Sequence, residues 1–138
     1  MPNLLVVAYV DGASRGNPGP AGVGVVLCDG RGEVLKELSQ YIGITTNNQA
    51  EYRALLLALQ EARALGASSV RVVTDSELLV KQLRGEYRVK EEHLRSLWEQ
   101  VRRATEDLVK FEVLHVPRGA NVRADHLANS AIEEAGRG

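Results

Sequence analysis

The sequence predicts an α/β fold in which a mixed five-stranded sheet, with three antiparallel strands followed by parallel strands, is flanked by helices. Three strand-like segments precede any helical pattern, and helices then alternate with strands in the order βββαβααβα. A helix between two strands is typical of a parallel crossover connection. The 138 residues are enough for one hydrophobic core, so we expect a single domain over residues 1–138.

The first three segments carry the antiparallel part of the predicted sheet. Residues 4–10 form a continuous apolar run that ends at Asp11 and predicts a buried strand. A loop rich in Gly and Pro covers residues 12–20, and the strand predicted over residues 21–28 contains glycines where a neighbouring backbone comes close. A short turn then leads to looser alternation over residues 33–38, which indicates a hairpin.

The remaining segments show helix and strand signals in turn. The predicted elements are helices over residues 50–65, 77–83 and 91–108, strands over residues 70–74 and 111–116, and a final helix for which Asn121 is the expected cap. Apolar side chains follow Glu51 at helical spacing and are expected to face the core: Leu55, Ala58, Ala62 and Leu65. Cys28 has no partner for an internal disulfide and is expected, like Trp98, to lie in the core.

The composition excludes several classes of protein. With 44% hydrophobic and 25% charged residues, the chain resembles neither a disordered nor a fibrous protein. The formal net charge of −1 excludes a strongly basic nucleic-acid binder, so a polyanionic partner must be held by local patches or by metal. Because no membrane span, leader or lipidation signal is visible, we expect a cytoplasmic protein without a membrane partner. A monomer is a separate expectation.

Four acidic residues stand at the ends of predicted elements: Asp11, Glu51, Asp75 and Asp125. Each also has a plain structural interpretation. Asp11 could open a turn, Glu51 could complete a capping box with Asn48, and Asp75 could be a helix N-cap. Asp125 could be an exposed acid that the dipole of the last helix favours. All four nevertheless lie where elements meet near the first and fourth strands, so we expect them to converge.

A converged set of carboxylates requires a counter-charge. Two ionised carboxylates about 4 Å apart repel by roughly 4 kcal/mol at an effective dielectric constant of about 20. The single cysteine cannot build a zinc site, and the three histidines show no ligand-like spacing. An all-oxygen site suits Mg²⁺ or Mn²⁺. Two such ions about 4 Å apart would hold the attacking water and the leaving oxygen of a phosphodiester cleavage.

Four motifs carry a resemblance to a known family. Residues 11–19 read DGASRGNPG, residues 46–51 read TNNQAE, residues 74–76 read TDS, and residues 121–128 read NVRADHLA. In this order and with these elements around them, the motifs resemble those of type 1 ribonuclease H over about residues 4–135. The resemblance implies hydrolysis of the RNA strand of an RNA/DNA hybrid, leaving 3′-hydroxyl and 5′-phosphate ends. It also implies that the four acids bind two Mg²⁺ ions, with Mn²⁺ as an alternative.

The resemblance further implies a set of contacts to the minor groove of the hybrid. Asn17, Asn47 and Asn48 match positions that contact sugars and bases, and Ser14 and Gly16 match nearby contacts. Amide side chains both donate to and accept from 2′-hydroxyl groups, which only an A-like minor groove presents. Taken singly, each asparagine could equally be a turn or cap residue.

The chain departs from the family pattern in three places. The loop before the last acid lacks the mobile histidine of many members, and Arg118 is the candidate substitute, acting only on phosphate charge. A short connector over residues 85–90 replaces a basic insertion, so hybrid binding should be weaker and more sensitive to salt. Glu77 stands where a glutamine often contacts the groove. The sequence thus resembles a short form without this insertion or a separate hybrid-binding domain.

Other functions remain open at this point. The enzyme could also cleave double-stranded RNA, because both duplexes share the wide minor groove. The chain could instead be a non-catalytic nucleic-acid binding module, although such a module would gain by losing acids near phosphates. A phosphatase acting on small molecules lacks any Gly-rich phosphate-binding loop of the Walker type. The basic residues around the connector are interpreted either as a solvated face or as contacts to a phosphate backbone: Lys81, Arg84, Arg88, Lys90 and Arg95.

Overall fold

The computed structural model describes residues 3–137 and confirms the predicted order of elements. The strands are β1 (Leu5–Ser14), β2 (Gly19–Cys28), β3 (Val34–Thr45), β4 (Ser69–Thr74) and β5 (Lys110–His115). The helices are α1 (Asn47–Ala64), α2 (Glu77–Leu83), α3 (Glu92–Thr105) and α4 (Val122–Arg137), with a short 3₁₀ turn at Arg118–Ala120. None of these helices is both long enough and apolar enough to span a bilayer.

The five strands form one mixed sheet in the order β3-β2-β1-β4-β5. β1 pairs antiparallel with β2, which pairs antiparallel with β3. On its other side β1 pairs parallel with β4, and β4 pairs parallel with β5. The predicted fold class is therefore confirmed. β1 is the central strand, so its residues have sheet neighbours on both sides.

The first three strands are longer than the sequence predicts, whereas β5 has the predicted length and begins one residue earlier. β1 does not end at Asp11, because Asp11 pairs with Gly24 and the ladder continues until Ser14 pairs with Ala21. The Gly/Pro loop is thereby reduced to residues 15–18. β3 continues to Thr45 since it follows β2 along its whole length. It is an edge strand with mostly exposed side chains, which explains why its apolar alternation is weak.

Helices cover both faces of the sheet. Val23 and Val25 of β2 pack in one core cluster with Leu55 of α1. The intervening Gly24 faces the other way and lies against α4, since successive residues of a strand point to opposite faces. α3 packs on α1, outside the first layer.

The predicted core is largely correct, with two exceptions. Cys28 is buried, as are three of the four apolar residues expected to face the core from α1. Leu65 is 39% exposed because α1 ends at Ala64, one residue before it. Trp98 is half-buried and packs at the margin of the core instead of within it.

α4 approaches β2 so closely that Gly24 has no space for a side chain. A Cβ atom built on Gly24 would lie 2.1 Å from the carbonyl oxygen of Ala124 and 2.7 Å from the backbone nitrogen of Ala128. Both are backbone atoms, so the clash can be relieved only by moving the helix. The position of α4, and hence of Asp125 on its first turn, depends on this contact.

We predict that Gly24→Ala destabilises the protein by about 1–3 kcal/mol, because it overpacks the interface between β2 and α4. Gly136→Ala is the matched control. Gly136 lies in the last turn of α4 with no atom within 4 Å of a built Cβ, so alanine should leave stability unchanged or raise it slightly. Urea denaturation midpoints measure both. Equal midpoints for the two variants would contradict the close contact.

Candidate active site

The carboxylates of Asp11, Glu51 and Asp75 lie close together beside the parallel strands β1 and β4. Asp11 lies within β1, Asp75 directly follows the neighbouring strand β4, and Glu51 lies in the second turn of α1. One oxygen atom from each lies within 4.8 Å of the other two. Asp11 and Glu51 are only 5% and 4% exposed, whereas Asp75 is half-buried. The site is therefore open to solvent at Asp75 and closed to solvent at Asp11 and Glu51.

A glycine allows Glu51 to reach the sheet. A Cβ atom built on Gly12 would lie 2.2 Å from the carbonyl carbon of Ala50, so only glycine fits between β1 and α1. The Gly12 N–H donates a hydrogen bond to Glu51 Oε1. The capping-box interpretation of Glu51 is therefore wrong. The N-cap of α1 is Thr46, whose side chain accepts from the Gln49 N–H at 3.2 Å, and Asn48 lies inside the helix.

The plain structural interpretations of the two aspartates are also wrong. Asp11 opens no turn, since it pairs with Gly24 in the sheet. Asp75 does not cap α2, because Ser76 is the N-cap and its hydroxyl accepts from the Leu79 N–H at 3.1 Å. Neither carboxylate is needed for local structure.

Asp125 approaches the cluster from the first turn of α4. Its carboxylate lies within hydrogen-bonding reach of Asp11, although it is outside the set of three that are mutually close. Asn121 directly precedes α4 and its backbone carbonyl oxygen accepts from the Asp125 N–H at 3.2 Å, so it occupies the expected cap position, but its side-chain oxygen has no hydrogen-bond partner in the described chain. Its side chain is 2% exposed and donates from Nδ2 to the carbonyl oxygen of Val10 at 2.8 Å. This bond fastens the start of α4 to the residue before Asp11.

The environment of the cluster disfavours negative charge. Burial is the main cause that raises the pKa of Asp11 above its usual range, and the charges of Glu51 and Asp75 raise it further. Burial also raises the pKa of Glu51, and the Gly12 N–H opposes this shift by donating to the carboxylate. Within residues 3–137, no Lys or Arg forms an ion pair with any of the four acids. The ion pairs all involve other acids: Glu37, Glu61, Glu77, Asp107, Glu112 and Glu133.

The donor set fits a divalent cation that prefers oxygen ligands. The cluster offers carboxylate oxygens without thiolate or imidazole, and no neighbouring cationic side chain in the described chain neutralises it. Hard cations such as Mg²⁺ and Mn²⁺ bind such sites and retain coordinated water. A bound cation would also reverse the unfavourable electrostatics, because it stabilises the ionised form of each carboxylate.

Exposed amide side chains flank the carboxylates. The side-chain oxygen of Asn17 accepts from the backbone N–H of Asn47 at 3.0 Å, which joins the β1–β2 loop to the start of α1. Asn47, Asn48 and Gly16 are exposed. The Ser14 hydroxyl forms hydrogen bonds within the protein, to the carbonyl oxygens of Gly16 and, at 2.9 Å, Thr45. The structure thus gathers all five predicted contact residues on two adjoining segments.

Arg118 shares no hydrogen bond with these residues in the described chain. Asn129 and Arg15, which the sequence pattern does not single out, are linked to Asp125. Arg118 is exposed in the 3₁₀ turn, and its guanidinium forms no hydrogen bond within residues 3–137. Asn129, one turn after Asp125, donates to it, and Arg15 donates to Asn129. The spacing of four residues on a predicted helix could have indicated the first contact, whereas no sequence signal indicates the second.

The chain matches the model of the family described as "Reverse transcriptase-like" over residues 9–131. It is 45% identical to Ribonuclease HI of Halobacterium salinarum over 130 residues, which cover 94% of this chain and 65% of that relative. The chain thus spans less than two thirds of that protein. It is 35% identical to a Ribonuclease H of Pseudomonas syringae over 147 aligned positions, which cover 94% of this chain and 93% of the relative.

A solved structure adds a likeness in three dimensions. The crystal structure of LC11-RNase H1, from a compost metagenome, in complex with an RNA/DNA hybrid superposes with a TM-score of 0.90 at 44% identity. The match covers 94% of this chain and 98% of the other. Sequence, family model and fold agree along nearly the whole chain. The chain belongs to the ribonuclease H family, within the reverse transcriptase-like group of domains.

Proposed function

We propose that this protein is a metal-dependent endoribonuclease that hydrolyses the RNA strand of RNA/DNA hybrids and leaves 3′-hydroxyl and 5′-phosphate ends. The observation that carries the proposal is the cluster of three carboxylates, which has no cationic partner among residues 3–137, in a member of the ribonuclease H family. The hybrid bound to LC11-RNase H1, at 44% identity, supports the choice of substrate.

In this proposal Asp11, Glu51, Asp75 and Asp125 bind two Mg²⁺ ions, with Mn²⁺ as a possible replacement. When bound, such ions would supply Lewis acidity, which would favour hydroxide over water and offset charge on the cleaved phosphate. The fold contributes the fixed positions of the ligands. Asp11 is fixed by the central strand, and Glu51 is fixed by the hydrogen bond from Gly12, so the two most buried ligands need little rearrangement to bind.

The surface next to the carboxylates would orient the hybrid. Asn47 and Asn48 are exposed one turn before Glu51, and the side-chain oxygen of Asn17 accepts from the backbone N–H of Asn47. Amides suit sugars and base edges of the minor groove because they carry both donors and acceptors. Ser14 and Gly16 shape the same loop. Arg118, exposed before α4, would act on phosphate charge during turnover.

Neutralising a single ligand should abolish activity. We predict that Asp11→Asn or Asp75→Asn lowers the rate of hybrid cleavage by more than roughly a hundredfold. Loss of a residue that only orients a metal ligand typically lowers activity by about 10- to 100-fold, and loss of the ligand itself should lower it further. The far-UV circular dichroism spectrum should not change, because Asp11 is held in β1 by backbone pairing and α2 is capped by Ser76 instead of Asp75. Cleavage of an end-labelled hybrid in Mg²⁺ measures the effect.

Glu134→Gln is the matched control for these variants. Glu134 is an exposed acid of α4, and its replacement removes the same charge away from the cluster. Its cleavage rate should equal that of the wild type. Wild-type turnover by Asp11→Asn or Asp75→Asn would refute the assigned roles.

The raised pKa values of Asp11 and Glu51 predict how pH changes stability. Without metal, the folded protein keeps protons that the unfolded chain releases above about pH 4. The stabilising contribution of these two groups is therefore complete below that pH and is lost as the pH rises through their folded pKa values. We expect the unfolding free energy of the wild type to fall relative to that of Asp11→Asn as the pH rises from about 5 to 8.

Urea denaturation in EDTA at several pH values tests this dependence, and saturating Mg²⁺ should raise the stability of the wild type more than that of Asp11→Asn. If the difference in unfolding free energy between the two proteins stayed constant with pH, the raised pKa values of Asp11 and Glu51 would be refuted.

The proposed substrate predicts which strand is cut. With a hybrid labelled on either strand, Mg²⁺ should produce RNA fragments with 3′-hydroxyl ends, while the DNA strand stays intact. A double-stranded RNA of the same sequence tests the broader specificity. Binding of the hybrid without any Mg²⁺-dependent nicking would favour a non-catalytic binding module instead. The monomeric state and cytoplasmic location expected from the sequence stay predictions.

A further inference from the structure

The fourth carboxylate is held from outside the cluster by Asn129. Asn129 lies one turn after Asp125 on α4, and its Nδ2 donates to the Asp125 carboxylate at 3.3 Å and to the Asp125 carbonyl oxygen at 3.0 Å. Asp125 therefore lies between two groups, with Asp11 on the sheet side and Asn129 on the helix side. Asp125 is itself only half-buried, so packing alone does not fix its side chain.

The contacts on either side of Asn129 fix which end of its amide faces Asp125, and Arg15 supplies the contact to the amide oxygen. Its Nη2 lies 3.3 Å from Asn129 Oδ1 and 3.0 Å from Glu133 Oε1. A guanidinium can only donate hydrogen bonds, and an ionised carboxylate can only accept them. An asparagine between the two must therefore turn its oxygen to Arg15 and its NH₂ group to Asp125.

Arg15 belongs to the loop that carries the predicted contacts to the hybrid. It follows Ser14, precedes Gly16 and Asn17, and its backbone N–H donates to the carbonyl oxygen of Pro20 at 2.9 Å. A continuous series of contacts thus joins this loop to Asp125, the only one of the four site acids that α4 carries. Arg15 and Glu133 are half-exposed, with side-chain exposures of 46% and 52%, so the series runs along the surface.

We propose that Asn129 is a positioning residue that aims the Asp125 carboxylate at the site, and that Arg15 makes this positioning depend on the β1–β2 loop. The inference rests on the proposed function, because it treats Asp125 as a metal ligand. Without the amide, the Asp125 side chain gains rotamers that face solvent, and metal binding must then select the inward one. Asn129 itself is proposed to contact neither the metal nor the hybrid.

Titration calorimetry with MgCl₂ alone, without nucleic acid, tests the inference apart from catalysis. Asn129→Leu removes both the donor and the acceptor at similar volume, and should weaken Mg²⁺ binding roughly three- to tenfold, as expected for one partly exposed hydrogen bond. Arg15→Met keeps the apolar stem, removes the donors and should cause a smaller loss. Ser130→Ala is the control on the same helix, since the Ser130 hydroxyl contacts only His126 within residues 3–137.

A double substitution separates positioning from a general effect on structure. In an Asp125→Asn background, Asn129→Leu should cause no further loss of Mg²⁺ affinity, because the group it positions is gone. Likewise, Arg15→Met should add nothing once residue 129 is leucine. In cleavage assays, Asn129→Leu should raise the Mg²⁺ concentration needed for half-maximal rate and leave the KM for hybrid unchanged.

Two results would overturn the inference. One is wild-type Mg²⁺ affinity in Asn129→Leu, and the other is an equal loss in the presence and absence of Asp125. Failure of the proposed function has a different signature, namely a wild-type protein that binds Mg²⁺ and nicks no hybrid.

Discussion

Mutual repulsion among neighbouring carboxylates is the constraint on which the rest of this structure depends. Asp11, Glu51 and Asp75 come from three elements, and bringing their oxygens within 4.8 Å costs free energy unless a cation is present. The fold keeps them together because each is carried by an element that is buried for other reasons. β1 is central in the sheet, β4 pairs beside it, and α1 packs across both. The burial of apolar side chains elsewhere on these three elements therefore holds together carboxylates that would otherwise repel one another.

The same logic explains the glycines at the two helix contacts. Gly12 lets the start of α1 touch β1, and Gly24 lets α4 touch β2. Each contact brings one acid close to Asp11, since Glu51 belongs to α1 and Asp125 to α4. A methyl group at either place would move a helix and, with it, a carboxylate. Glycine here sets the distance between functional groups.

Much of this could be predicted from the sequence. The order of elements followed from apolar periodicity, and the four acids stood out because each ends or begins an element. Strand lengths were underestimated, since the extension of β1 past Asp11 depends on pairing with Gly24 and is invisible in local pattern. Cap assignments failed where several polar residues adjoin. Thr46 and Ser76 provide the caps, whereas Asn48 and Asp75 were equally plausible by residue type.

Contacts between distant surface residues could not be predicted at all. Arg15 and Asn129 are 114 positions apart, and each alone resembles an ordinary solvated side chain. Local sequence carries no information about such a pair, because the contact exists only after α4 has docked.

The place of α4 in the chain has a consequence for how the site is completed. α4 is the last element of the described chain, and it delivers Asp125 by packing on β2, a strand made much earlier. The three-acid cluster draws only on β1, α1 and the residue after β4, all of which precede α4 in the chain. Asp125 joins these acids only when α4 docks on β2, so a change that loosens this docking would separate the fourth acid from the other three.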